Sequence, residues 1–206
     1  MLPVRKVISE HRTQERAIRT RKDLMAAARR VFARDGFEVA RLQDIAEEAG
    51  KTRGALYSHF KDKEDLFFAL IEENIATDGE FYRTRLTPES SQEEKVAALV
   101  DHMEAMLCDR KRVMLYLEFK MYAIRHPHEQ ERLAELHAAL CTKGMDAKLY
   151  LVPELFEPNS EKRRAVIAAF GAVLDGLALN LYFDPGALSP EEVRRRIEQM
   201  VRERLA

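Results

Sequence analysis

The sequence is poor in residues that break helices or cross-link chains. Its 206 residues include 8 glycines, 7 prolines, 2 cysteines and no tryptophan. So few breakers argue against a many-turned β-sandwich or barrel. The two cysteines, Cys108 and Cys141, exclude a disulfide framework and a cysteine-rich metal cluster. With 46% apolar and 33% charged residues, the composition is typical of one or two globular domains with a sizeable core.

Long apolar runs are also absent. The longest, Ala165 to Leu174, is far shorter than the roughly 20 residues that a membrane span needs. No segment within residues 1–20 has the pattern of a signal peptide. We therefore expect a cytoplasmic protein with no membrane partner.

Helical periodicity is what the chain does contain. Apolar residues recur at three- and four-residue spacing along nearly its whole length, and strict alternation is absent. Ser91 with Glu94 forms a capping box, Ser189-Pro190 marks another helix start, and the two prolines of Pro153–Asn159 indicate a linker. These signals predict an all-α fold of about nine helices.

The net charge of −1 conceals two parts of opposite sign. Residues 1–63 carry 15 Lys and Arg against 9 Asp and Glu, whereas residues 64–206 carry 19 against 26. A basic end suits a polyanion such as DNA, which repels an acidic remainder. Because such an asymmetry also arises by chance, it indicates DNA binding only when a DNA-binding motif is present as well.

Residues 41–63 supply that motif. Two short amphipathic patterns meet at Gly50, which suits a helix end that needs positive φ, and this is the sequence form of a helix-turn-helix. The second helix starts near Thr52 and can enter a major groove by its N-terminal end. There, Arg53 can donate a bidentate pair to guanine, and Gly54 lets the backbone approach closely.

The stretch from about Arg21 to Glu73 resembles the N-terminal DNA-binding domain of the TetR/AcrR family of bacterial transcriptional regulators. The matching segments, in order and with matching spacing, are 27–32, 35–37, 44–46, 49–50, 54–60, 63–64 and Leu66. The resemblance implies a dimeric regulator. Its three-helix domain would read DNA, and its larger helical domain would dimerise and bind a small molecule.

The motif and the resemblance together give a candidate DNA-binding set. Gln43 and Arg53 are expected to read bases, and the others to contact or support the DNA backbone. The set is Arg41, Gln43, Lys51, Thr52, Arg53, Gly54, Tyr57, His59 and Lys63. Two members depart from the family's pattern. Arg41 replaces a phosphate-contacting cap residue but cannot cap, and Lys51 replaces a buried aliphatic, so it is expected to bury its stem and keep its charge in water.

The resulting organisation has three parts. Residues 1–15 form a basic N-terminal extension, residues 16–62 the helix-turn-helix DNA-binding domain, and residues 63–206 the helical ligand-binding and dimerisation domain. Residues 5–22 hold seven cations against two glutamates. This extension is either an arm that lies along DNA or enters a minor groove, or a frayed, solvated tail.

The middle helices carry candidate ligand-binding residues. Methionine and aromatic side chains with scattered polar groups are typical of an adaptable pocket, although they are equally typical of an ordinary core. The candidates are His102, Met106, Phe119, Tyr122, His137 and Phe170.

The last two helices carry a candidate dimer interface. Residues 160–182 are apolar on nearly all sides, so that helix must be buried on more than one side. Pairing both helices with their symmetry mates gives a four-helix interface; burial within one subunit is the alternative. The candidates are Phe170, Leu174, Leu177, Leu181, Val193, Ile197 and Met200.

No pattern of catalytic or metal-binding residues is present. His126-Pro127-His128 matches no metal-binding motif, and neither a Gly-rich phosphate loop nor a nucleophile motif occurs. We expect no cofactor, no metal and no catalytic residue. The sequence favours a dimeric repressor released from a near-palindromic operator in double-stranded DNA by an unidentified small molecule. The alternatives are a DNA-binding dimer without an inducer, and an all-α small-molecule-binding protein or enzyme with a structural helix-turn-helix.

Overall fold

The computed structural model describes residues 4–146, 151 and 160–205, and these residues form helices and no strands. The helices are α1 (Val4–Asp35), α2 (Leu42–Glu48), α3 (Arg53–Tyr57), α4 (Lys63–Arg85), α5 (Gln92–Cys108), α6 (Arg110–Arg125), α7 (Pro127–Asp146), α8 (Ser160–Phe183) and α9 (Pro190–Leu205). The all-α prediction is confirmed. The predicted linker Pro153–Asn159 lies outside the described residues. None of the described helices is long and apolar enough to cross a membrane.

The chain divides into two compact units, Met1–Ile71 and Glu72–Ala206. The division falls inside α4, later than the boundary expected after residue 62. A second difference concerns the N-terminal extension. The sequence predicts that residues 1–15 are an extension outside the DNA-binding domain, whereas α1 runs from Val4 to Asp35. The extension is therefore the first part of a continuous helix.

Three phenylalanines form the centre of the first unit. Phe32 of α1, Phe67 of α4 and Phe37 between α1 and α2 are all buried, with ring centroids 5.0–6.0 Å apart. Tilted and edge-on ring pairs at this distance are attractive beyond the apolar area they bury. The aliphatic core around them comes from all four helices and includes Leu24, Val31, Ile45, Leu56, Leu66 and Leu70. The two short helices are held by this shared core.

The second unit is built around α5, which packs against α6, α8 and α9. Its buried cluster includes Val96, Leu99, Leu107, Val113, Ala178, Val193, Ile197 and Val201. Val193 and Ile197 are 2% and 0% exposed. The expectation that these two residues face a partner subunit is therefore revised, because the apolar stripe of α9 packs against the core of its own unit.

A buried ion pair joins α4 to α6. Arg112 donates two hydrogen bonds to the carboxylate of Asp78, at 2.8 and 2.7 Å, and His102 Nε2 lies 3.2 Å from Asp78 Oδ1. The His102 ring packs between Phe81 and Tyr82, with centroids 4.6 and 4.8 Å away. Burial alone would raise the pKa of Asp78, but Arg112 and His102 hold it well below its ordinary value. Asp78 is therefore ionised, and its charge is matched inside the core.

Removing one partner of this pair should destabilise the protein strongly. Arg112→Met leaves the buried Asp78 carboxylate without its guanidinium partner. The free energy of unfolding typically falls by about 3–5 kcal/mol when one charge of a buried pair is removed. Asp78→Leu/Arg112→Met removes both charges and should recover most of that loss. Urea unfolding of the full chain measures both. If the double variant is as unstable as Arg112→Met, lost packing rather than the stranded charge is the cause.

The same pair should make the free energy of unfolding depend on pH in the acidic range. The pKa of Asp78 is depressed on folding, so its contribution is complete above the unfolded pKa of about 4 and is lost as the pH falls through the folded pKa. From about pH 6 to about pH 3, the wild type should therefore lose more free energy of unfolding than the double variant.

Candidate nucleic-acid interface

A tight turn at Gly50 joins α2 to α3. The Gly50 amide donates to the Glu47 carbonyl at 2.9 Å, and the Lys51 amide donates to the Ala46 carbonyl at 2.8 Å. Gly50 has φ of +63°, which a residue with a Cβ adopts only at a cost. This pair of hydrogen bonds closes the end of α2 and redirects the chain within two residues. The predicted helix-turn-helix thus has the expected glycine at its turn.

The next helix, α3, has five residues and one inward anchor. Thr52 caps it, because its Oγ1 accepts a hydrogen bond from the Ala55 amide at 3.1 Å. Leu56 is fully buried. Arg53, Gly54 and Tyr57 are exposed. The outer face of α3 therefore consists of three residues that the sequence singled out for DNA contact.

The fold does not require the glycine at position 54. Its φ is not positive, and a Cβ added there would meet nothing closer than the Thr52 Oγ1 at 3.9 Å. Alanine would also favour the helical conformation over glycine. Gly54 thus differs from Gly50: the missing side chain leaves room on the outside of α3.

The candidate cations divide into two kinds. Lys51 Nζ lies 2.9 Å from Asp23 Oδ2. Lys63 Nζ donates to the Glu38 and Ala40 carbonyls at 2.8 and 3.3 Å and lies 4.8 Å from the centroid of the Phe37 ring. Partial burial lowers the pKa of Lys63. Both ammonium groups are bound within the first unit, where they hold its loops and helices together.

Arg41 and Arg53 differ from these two lysines. Both are exposed, and the described part of the chain offers neither guanidinium a hydrogen bond, ion pair or ring contact. Arg41 is the N-cap of α2 and makes no side-chain capping bond, as its departure from the family's pattern implied. These two cations are available to an outside partner.

The remaining candidates lie close by. Gln43 is exposed and donates to Glu47 at 2.9 Å. His59 is half-buried, and its carbonyl accepts a hydrogen bond from Arg21 at 3.3 Å. The sequence reasoning missed Arg21 and Asp23 as supports of the site, because their partners are far away in the chain and leave no local signal.

The candidate ligand residues of the second unit lie in separate groups. Phe119 and His137 are neighbours, with ring centroids 6.0 Å apart, and Lys120 forms an ion pair with Asp175. Burial, followed by the charge of Lys120, lowers the pKa of His137. Tyr122 stacks against His126 with centroids 4.3 Å apart. The buried His102 belongs to the Asp78 cluster, while Met106 and Phe170 are half-buried.

An open groove of about 670 Å³ lies between α8 and α9. Its apolar lining includes Val173, Leu177, Leu188 and Met200, and its polar lining includes Glu192 and Arg196. Two dimer candidates, Leu177 and Met200, are therefore at this surface. Leu174 and Leu181 are half-buried against the core of the unit.

Comparison with known proteins agrees with both units. A profile described as "Bacterial regulatory proteins, tetR family" matches residues 24–70, and one described as "BetI-type transcriptional repressor, C-terminal" matches residues 88–206.

Individual relatives match over different lengths. The transcriptional regulator AcrR of Shigella flexneri is 28% identical over 182 residues, covering 84% of this chain and 83% of AcrR. The transcriptional repressor AcnR of Corynebacterium efficiens is 42% identical over 64 residues, 31% of this chain and 34% of AcnR. The chain thus spans about a third of AcnR. A solved TetR-family regulator from Rhodococcus sp. shares the fold, with a TM-score of 0.67, 22% identity and coverage of 91% of this chain and 99% of that one.

Proposed function

The chain belongs to the tetR family of bacterial regulatory proteins, and we propose that it is a homodimeric repressor that leaves a near-palindromic operator when a small molecule binds. The family is one of transcriptional regulators, not of enzymes. One observation carries the DNA-reading part of the proposal. The outer face of α3 presents Arg53, which has no partner among the described residues, beside a glycine that the fold does not need.

In this proposal α3 enters the major groove by its N-terminal end. Arg53 donates two hydrogen bonds to the O6 and N7 atoms of a guanine. Gly54 allows the backbone of α3 to approach the bases. Gln43 is the second base-reader. Arg41, Thr52, Tyr57 and His59 lie around these residues and contact the DNA backbone, which positions the unit without reading sequence. Lys51 and Lys63 support the site from within.

Arg53→Ala should reduce sequence preference while leaving the fold intact. The loss of a bidentate base contact is worth about 1–3 kcal/mol, so operator affinity should fall roughly 5- to 150-fold while affinity for scrambled DNA changes little. The measurement is fluorescence anisotropy with DNA flanking the coding region and a scrambled control. Gly54→Ala should lower operator affinity without lowering the free energy of unfolding.

Arg34→Ala is the matched control. It removes the same charge from an exposed arginine of the first unit that already pairs with Asp35 and Glu48. If Arg34→Ala and Arg53→Ala reduce operator affinity equally, the effect comes from net charge, and readout by α3 is contradicted.

The groove between α8 and α9 supports the dimer part of the proposal. Val173 is 43% exposed, and with Leu177 and Met200 it gives the groove an apolar floor. Glu192 and Arg196 add charges of both signs, which suit a surface that meets its own copy. A partner's α8 and α9 would complete a four-helix interface there.

Val173→Glu should convert dimers to monomers, because it places a charge on the groove floor. Leu179→Glu is its control: Leu179 is also on α8 and 54% exposed, but it does not line the groove. Light scattering after size exclusion measures both masses. Dimers that survive Val173→Glu, or monomers produced equally by both variants, would contradict an interface centred on this groove.

The ligand part of the proposal centres on His137. This residue of α7 lies beside Phe119 of α6, and the Lys120–Asp175 pair is near enough to influence its pKa. Because its pKa is lowered, its ring is neutral at physiological pH and can both donate and accept a hydrogen bond. A small-molecule site is typically lined by apolar and aromatic side chains with a small number of polar groups.

A panel of small metabolites should contain compounds that release the protein from its DNA, with anisotropy as the readout. His137→Ala should raise the concentration needed for half-release about tenfold, the cost of one lost buried hydrogen bond. The exposed His128 provides the control, His128→Ala. Equal release in all three proteins would contradict a site at His137. If no compound releases the wild type, the alternative of a dimer without an inducer is favoured.

A further inference from the structure

We propose that the N-terminal part of α1 is a second DNA-contact surface, a rigid basic helix that lies along the phosphates flanking each half-site. This inference rests on the proposed DNA-binding function and extends it beyond the helix-turn-helix. Of the two alternatives that the sequence left open, it adopts the arm that lies along DNA rather than the frayed tail.

Continuity of α1 is the first argument. The helix contains no glycine or proline from Val4 to Asp35, so nothing in it marks a hinge. The 17 residues of 4–20 span about 25 Å at 1.5 Å per residue, which is close to seven base pairs at about 3.4 Å each. Such a helix can reach DNA well outside the site read by α3.

The surface of this segment is the second argument. Every residue from His11 to Arg19 is exposed, including Ile18 at 52%. An isolated helix of this length is marginal in water. The exposed surface of residues 11–19 is therefore available to an outside partner.

Charge identifies that partner. Arg12, Arg16 and Arg19 are spaced at i, i+4 and i+7, so they lie along one face of the helix. None has a side-chain hydrogen bond or ion pair in the part of the chain that the structure describes. The neighbouring acidic residue, Glu15, has its Oε1 3.3 Å from His11 Nδ1. A row of unpaired guanidinium groups complements the phosphate backbone, which carries one charge per step of each strand.

The position of the segment is the third argument. The Arg21 guanidinium donates to the His59 carbonyl at 3.3 Å and lies 4.4 Å from the centroid of the Phe60 ring. Asp23 pairs with Lys51 at the helix-turn-helix turn. Both contacts fix α1 to the residues that flank α3, immediately after the basic row. The proposed surface is therefore continuous with the DNA-reading face.

The test is the salt dependence of DNA binding by the full-length Arg12→Gln/Arg16→Gln/Arg19→Gln variant. Each lost phosphate contact should reduce the slope of log K against log salt by about 0.9, or about 2.7 per protomer. Affinity for the DNA flanking the coding region and for scrambled DNA should fall together, because phosphates carry no sequence information. Protection of flanking DNA from hydroxyl radicals should also be lost.

The control variant is Lys111→Gln/Arg132→Gln/Arg195→Gln, which makes the same change in net charge at exposed sites of the second unit. It should keep the wild-type slope. An unchanged slope in the Arg12 variant, or equal changes in both variants, would overturn the inference. If the inference fails in this way while the wild type still prefers the DNA flanking the coding region over scrambled DNA, and Arg53→Ala lowers that preference, the proposed function stands. Wild-type protein without any preference would refute the proposed function itself.

Discussion

The DNA-reading face depends on how a helix of five residues is held in place. A helix as short as α3 is not stable alone, because nucleation costs more than its few hydrogen bonds return. Its conformation comes from three contacts: the left-handed turn at Gly50, the Thr52 cap and the buried Leu56. Leu56 in turn packs in a core that the Phe32–Phe37–Phe67 cluster organises. The exposed residues of α3 are therefore presented by a rigid support.

The sequence predicted which residues surround this site but not what each cation does. Turn glycine, cap and apolar spacing are local signals, so the helix-turn-helix and its outward residues could be inferred from residues 41–63. Lys51 and Lys63 are different, since Asp23 and the Glu38 carbonyl bind them from distant parts of the chain. The contacts in the folded structure are needed to distinguish these two structural lysines from Arg41 and Arg53.

Periodicity failed in a similar way in the second unit. The apolar stripe of α9 shows that one face is buried, but not against which surface. Val193 and Ile197 pack against their own core, whereas the predicted candidates Leu177 and Met200 line the outward groove together with Val173. The Asp78–Arg112 pair was invisible to a reading of neighbouring residues, because its partners are 34 residues apart. Pairing across helices is set by three-dimensional packing, which a single sequence does not state.

The central claim is that Arg53 reads a guanine, and an atomic substitution in the DNA tests it most directly. Replacing each operator guanine with 7-deazaguanine removes the N7 acceptor and leaves the base pair intact. At one position, the account predicts that this replacement weakens binding of the wild type but not of Arg53→Ala, so that the two losses are not additive. Fully additive losses at every guanine would contradict the claim, because the arginine and the guanines would then act independently.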